Sequence, residues 1–230
     1  MEILYQSKAC IVVNKLKGEA VEGAKKGITD LQKAIKTHLN TDFAEAVNRL
    51  DVPVTGCALF ALDSTALNYL NAAFACKDFA NKENRKIEKH YWAIIEKPKD
   101  AIAETGELTH WMETNTKTNK SFAYNEEKTG RKKSTLKYKV TGEGINYLFL
   151  EIELFTGRHH QIRAQLAAVN LHIKGDLKYG ARRSEKDGGI RLHARFLSFP
   201  DPLDKNERIT VTADPPQADN LWNEFLKMCK

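Results

Sequence analysis

Residues 47–62 read VNRLDVPVTGCALFAL. The run from Cys57 to Leu62 is unbroken and apolar, the pattern of a buried strand, and Pro53 and Gly56 mark the turn feeding it. The tripeptide Arg49-Leu50-Asp51 therefore sits on a loop leading into the core, and loops held by rigid elements are where chemistry concentrates. Arg49 stands two residues before Asp51, so in an extended loop both side chains point the same way. Taken alone, this stretch reads best as an ion pair on a solvated turn.

Working outward, the chain opens with two short strands, Glu2–Tyr5 and Cys10–Asn14, and a loop marked by Gly18 and Gly23. Thr29 and Gln32 form a T-x-x-Q capping box, with Leu31, Ile35 and Leu39 following at helical spacing. After the Cys57–Leu62 strand, Asp63 or Ser64 caps a second helix whose buried stripe is Leu67, Leu70 and Phe74. The basic connection 80–89 reads as a solvated loop, and Tyr91–Glu96 as a strand. Residues 114–133, rich in Asn, Lys, Thr and Ser, read as irregular structure or a hairpin.

Leu136, Tyr138 and Val140 alternate with Lys137 and Lys139, and Leu148, Leu150, Ile152 and Leu154 alternate with Glu151 and Glu153, the mark of half-buried strands. A helix follows with Ile162, Leu166 and Val169 on one face. Ile190–Phe199 and Ile209–Val211 read as strands, and Leu221, Trp222 and Phe225 lie on a closing helix. Long strands mixed irregularly with helices predict an α+β fold rather than a doubly wound one. With no internal repeat, residues 1–230 read as a single domain.

A chain of 230 residues and 26.0 kDa is long enough for one sizeable core. No apolar run approaches a membrane span and the first residues lack a signal-peptide layout, so the cytoplasm is the expected compartment. Cys10, Cys57, Cys76 and Cys229 have neither metal-ligand nor framework spacing, which favours reduced thiols. The net charge of +6 and pI near 9.0 suit a polyanionic partner.

Asn48-Arg49-Leu50-Asp51 with Thr55-Gly56 is similar to the H-R-L-D-x-x-T-S-G block of the RluA-type pseudouridine synthases. Lys89-His90-Tyr91-Trp92-Ala93 resembles the family's K-x-Y-x-A strand. Thr156-Gly157-Arg158-His159-His160-Gln161-Ile162-Arg163 resembles T-G-R-x-H-Q-I-R, and Gly175-Asp176 with Tyr179-Gly180 fits the G-D-x-x-Y-G that follows. Val12-Val13-Asn14-Lys15 near the start and Leu192-His193-Ala194 near the end fit as well. Asn48 departs from the usual histidine, Val54-Thr55 from Thr-Ser, and Leu16 stands where proline is common.

The resemblance implies the pseudouridine synthase fold, a mixed and mostly antiparallel sheet flanked by helices, and an isomerase acting on uridines of structured RNA, tRNA or rRNA. It implies the catalytic domain alone, without an S4-like RNA-binding module, acting as a monomer with no metal or organic cofactor. Asp51 matches the catalytic carboxylate, Tyr91 the active-site tyrosine that stacks on uracil, and Arg163 the arginine paired with that carboxylate. Arg49 matches the residue that fills the gap left by the flipped base, and Leu192 an apolar residue lining the uracil pocket. Arg158, His160 and Gln161 fall in the block at the start of a helix, where free N–H groups favour phosphate. For His160 and Gln161 a structural hydrogen-bonding role is at least as well supported.

The isomerisation breaks the C1′–N1 bond of uridine, turns the uracil and rejoins it through C5. A carboxylate could serve by attacking C1′, adding to C6 or removing a sugar proton, and the sequence leaves these open. Lys82, Arg85, Lys86, the Lys117–Lys133 region and Arg158 are the basic candidates for RNA contact. A non-catalytic RNA-binding protein would need only this basic surface, whereas Asp51, Tyr91 and Arg163 are all present. Zinc deaminase, Walker, G-x-S-x-G and H-E-x-x-H patterns are missing, and the paired carboxylates of a glycosidase do not stand out.

Overall fold

In the computed structural model, which describes residues 1–75, 87–186, 188–215 and 219–228, two strands are buried on both faces as their apolar runs require. These are β2 (Cys10–Lys15) and β4 (Thr55–Ala61). They belong to the first of two compact units, Met1–Lys89 with Ala194–Pro216. Its strand order is β1-β2-β4-β10, where β1 is Glu2–Gln6 and β10 is Leu192–Pro200. The short β3 (Glu45–Ala46) pairs with β4, and β11 (Arg208–Thr212) with β10. Cys10, Val12, Cys57, Leu59, Leu70, Leu197 and Phe199 fill its core.

Helix α1 (Leu31–Leu39) starts one residue later than the capping box implies: Asp30, not Thr29, is the cap, its Oδ1 accepting from Lys33 N at 3.2 Å. Thr29 is held in extended chain because its carbonyl accepts from Ala20 N. Helix α2 (Ser64–Ala75) is capped by Asp63, which accepts from Ala66 N at 2.8 Å.

The second unit is His90–His193 with Gln217–Lys230. Its strands run β5-β9-β8-β6-β7, every pair antiparallel. They are β5 (Glu88–Glu96), β6 (Thr105–Asn115), β7 (Lys120–Tyr124), β8 (Lys132–Glu143) and β9 (Tyr147–Leu154). The fold is thus α+β with a mostly antiparallel sheet; β9 buries Leu148, Leu150, Ile152 and Leu154 as their alternation predicts, while on β8 Leu136 is buried and Tyr138 and Val140 are half-buried. Residues 114–133 include a hairpin strand, β7, whose partner β6 carries no clean apolar alternation: His110 is buried on the face where a hydrophobe would be looked for.

Helices cover opposite faces of this sheet. α3 (Gln161–Ala168) lies against Met112 and Ala123, and α4 (Asn220–Met228) against Trp92, Ile94 and Phe149. α3 differs from an amphipathic reading: Gln161 to Leu166 are all buried, while Val169 is its exposed C-terminal cap. Among the described residues no helix is long and apolar enough to cross a membrane. Cys76 and Cys229, with most of the 80–89 connection including Lys82, Arg85 and Lys86, lie outside the described residues.

Gly56 has φ +112°, and a Cβ there would meet the backbone oxygen of Ala194 on β10 at 2.2 Å. Gly56→Ala combines left-handed strain with a backbone clash. It is expected to cost at least about 2 kcal/mol in urea unfolding. A loss under about 0.5 kcal/mol would show that β4 and β10 have room to part.

Candidate functional site

The loop carrying Asp51 is held from beneath by a buried cation. Lys15 ends β2 with its side chain fully buried. Its ammonium donates to Val54 O at 2.7 Å, Leu16 O at 2.9 Å and Val52 O at 3.1 Å. Three N–H groups thus meet three carbonyls, two of them flanking Pro53 just after Asp51. Val52 O also accepts from Gly18 N, and Val54 N closes a turn onto Asp51 O at 3.0 Å. Burial pulls the Lys15 pKa down to about 8, opposed by the charges of Glu19 and Asp51.

Asn48 is used structurally. Its Oδ1 accepts from Leu59 N at 2.7 Å and its Nδ2 donates to Cys57 O at 3.1 Å, so it extends the β3–β4 pairing and anchors the loop's leading side. Arg49 reaches outward, its side chain 77% exposed and 3.9 Å from Glu22. Leu50 is buried and Asp51 half-buried.

The second unit carries the other matched residues. Tyr91 is buried on β5, opposite Ile152 of β9. Arg163, on α3, is buried and makes a two-pronged pair with Asp176: Nε to Oδ2 at 2.6 Å and Nη2 to Oδ1 at 2.8 Å. Its guanidinium also lies 4.9 Å from the Tyr179 ring. A bidentate fork fixes the guanidinium plane in a way a lysine could not.

The G-D-x-x-Y-G block is built around that pair. Gly175 (φ +90°) and Gly180 (φ +96°) take left-handed backbone, and a Cβ would meet Glu185 Cγ at 2.8 Å or the His172 ring at 2.7 Å. Between them Asp176 supplies the carboxylate, and Tyr179 a hydroxyl that lies 2.9 Å from His160 Nδ1. Ser121 N donates to the same hydroxyl at 2.9 Å, and Ser121 Oγ is 2.8 Å from His159 Nδ1. The two histidine rings stack at 3.8 Å.

His160 and Gln161 therefore have partners inside the fold. Gln161 Oε1 accepts from Thr156 Oγ1 at 2.8 Å and Arg158 N at 3.0 Å, while its Nε2 donates to Thr135 O and Gln165 Oε1. Arg158 is half-buried, with Nε buried and unpartnered. Leu192 is buried at the start of β10. In the sequence Lys15 and Asp176 stand only as members of motif blocks, with no role of their own. The available signals were a lysine closing an apolar run and an acid between two glycines of one block.

The pattern of the RNA pseudouridylate synthase family matches residues 9–168, a stretch holding Asp51, Tyr91 and Arg163. The chain belongs to that family. It is accordingly an isomerase that converts uridine in RNA to pseudouridine. The tRNA pseudouridine synthase C of Haemophilus ducreyi is 29% identical over 249 residues, covering 98% of this chain and 96% of that protein. The ribosomal large subunit pseudouridine synthase C of Vibrio parahaemolyticus is 25% identical, over 87% of this chain and 61% of that protein. Human RNA Pseudouridylate Synthase Domain Containing 4 shares the fold, with a TM-score of 0.71 at 19% identity, covering 99% of this chain and 92% of its own.

Two outcomes follow from this geometry. Deprotonated Lys15 has too few donors for three carbonyls, so activity is expected to decline above about pH 8. Between about 8 and the ordinary 10.5 the unfolded chain holds this proton and the folded chain does not, so Lys15's contribution to stability rises with pH. A pH–rate profile flat to pH 10 would separate Lys15 from the Asp51 loop. Asp176→Ala leaves the Arg163 charge buried and is expected to cost about 3–5 kcal/mol. Chemical denaturation checks it, and a loss below about 1 kcal/mol would mean that Arg163 finds another acceptor at no cost.

Proposed function

We propose that Asp51, Tyr91 and Arg163 are the catalytic residues and that the substrate is a tRNA stem-loop. The family match across residues 9–168, with all three side chains at their motif positions, carries this reading. Asp51 supplies the carboxylate at the reacting nucleoside and Tyr91 an aromatic ring for the uracil; the resemblance pairs Arg163 with the catalytic carboxylate, whereas its fork here is engaged by Asp176, so Arg163 is assigned by its motif position. The exposed Arg49 fills the space vacated by the flipped base. Arg158 meets phosphate, Leu192 contributes apolar surface to the uracil pocket, and His160 and Gln161 act on RNA by shaping the loop that presents Arg158.

The two units work as one catalytic domain, as a monomer in the cytoplasm, with neither metal nor organic cofactor. The choice of tRNA rests on the Haemophilus relative, which is matched along nearly its whole length, whereas the ribosomal relative is matched over 61% of its own. A single-stranded loop also lowers the cost of flipping the target, since its bases are already partly unstacked.

The test is incubation with total tRNA and with ribosomal RNA, followed by mapping of converted uridines. Conversion in rRNA alone would move the substrate assignment. Asp51→Asn is expected to abolish turnover while leaving RNA affinity within about twofold, because one carboxylate adds little attraction for phosphate. Residual turnover within about tenfold of wild type, or 1.4 kcal/mol of barrier, would remove Asp51 from the chemistry.

A further inference from the structure

The strands β6, β7 and β8 have one buried and one open face. His110, Met112, Ser121, Ser134 and Leu136 point to the buried side, where α3 packs. The register sets the open side in rows: Tyr124, Trp111 and Lys133 stand abreast, then Phe122 beside Glu113, then Lys120 beside Asn115. α4 covers this face toward β5 and β9, through Trp92 and Phe149, and at Gly142 of β8, where Met228 lies against the strand.

Phe122 is 40% exposed on an edge strand, an unusual place for a phenylalanine with no role. The Lys120 ammonium, at the sheet edge, lies 5.6 Å from its ring centroid and 5.1 Å from that of Tyr179 on the inner side, and Arg131 stacks on Tyr124 at 3.5 Å. Arg131 is paired with Glu113 at 3.4 Å, which leaves Lys120 and Lys133 as the uncompensated charges of these rows, so the surface is cationic and aromatic together. Further along the same face an open recess of about 490 Å³ is edged by Lys137, Lys139, Glu107 and Glu153.

Resting on the reading of this protein as an RNA isomerase, we propose that this face is a platform for unpaired nucleotides flanking the target stem-loop. Bases stack on Phe122 and Trp111, and Lys120 and Lys133 meet the phosphates. Interleaved aromatic and basic side chains on an open sheet are what single-stranded nucleic acid requires, because every base has a stacking face and every linkage a charge. A protein partner is a poorer fit, since lysine is depleted at protein interfaces. The platform is coupled to the helix start on its other side: β7 turns Phe122 outward and, one residue earlier, Ser121 inward to His159 and Tyr179. A nucleotide on the outer face therefore lies across one strand from the loop that bears Arg158.

The experiment uses the full chain and a fluorescein-labelled hairpin RNA, with and without single-stranded flanks. Binding is measured by anisotropy and turnover by product mapping. Phe122→Ala and Lys133→Glu, both at exposed positions outside the catalytic set, are compared with wild type. Phe122→Ala is expected to weaken the flanked RNA by at least about fivefold, the low end for one stacked base. The blunt hairpin and kcat at saturation should change less than about twofold. Lys133→Glu is expected to weaken the flanked RNA and flatten its salt dependence. Unchanged affinity for flanked RNA in both variants overturns the proposal, as does an equal loss on flanked and blunt RNAs. Failure of the wild-type protein to form pseudouridine in any RNA would count against the isomerase reading instead, and is read from product rather than from the binding ratio.

Discussion

A buried ammonium is tolerated when each of its N–H groups has an acceptor, and Lys15 meets that condition through three carbonyls. Two of those carbonyls belong to the loop that carries Asp51, so the requirement to solvate one charge fixes the path of another residue's backbone. Asn48 ties the same loop to β4 from its other side, and Gly56 lets β4 approach β10 closely enough to hold the base of the loop still. In this unit the position of the carboxylate follows from satisfying buried polar groups, with apolar packing supplying the rigid strands behind it.

The second unit applies the same constraint to a helix. α3 buries Gln161, Arg163 and Gln165 together with its apolar residues, and each polar side chain is matched: Gln161 to Thr156 and Thr135, Arg163 to Asp176, Gln165 to Leu108 O and Ser134 O. A hydrogen-bonded interior of this kind costs more to disturb than an apolar one, because every broken pair leaves a desolvated group behind. The result is a helix whose rotation and height are set residue by residue.

The sheet of this unit divides its labour by face. Its inner face is committed to α3 and to the Ser121, His159, His160 and Tyr179 contacts, while the outer face near β7 stays aromatic, basic and open. Strand periodicity makes that division possible, since neighbouring residues on β7 serve opposite sides at no mutual cost.

Much of the framework was legible from residue order alone. The alternation in 148–154 and the apolar run from Cys57 specify strands whatever surrounds them, because burial of one face or both leaves its own period in the sequence. The motif blocks likewise identified Asp51, Tyr91 and Arg163 as the residues to examine. What the sequence could not settle was how charged and amide groups are satisfied. Nothing local indicates that Lys15 lies inside, that Asp176 takes the fork of Arg163, or that His160 and Gln161 spend their hydrogen bonds within the fold. The start of α1 slipped for the same reason: Thr29 yields the cap to Asp30 because its carbonyl is engaged by Ala20, which comes from an earlier loop. Periodicity is a property of neighbouring residues and survives in the sequence; the pairing of buried polar groups joins residues far apart in the chain, so only the tertiary structure decides it.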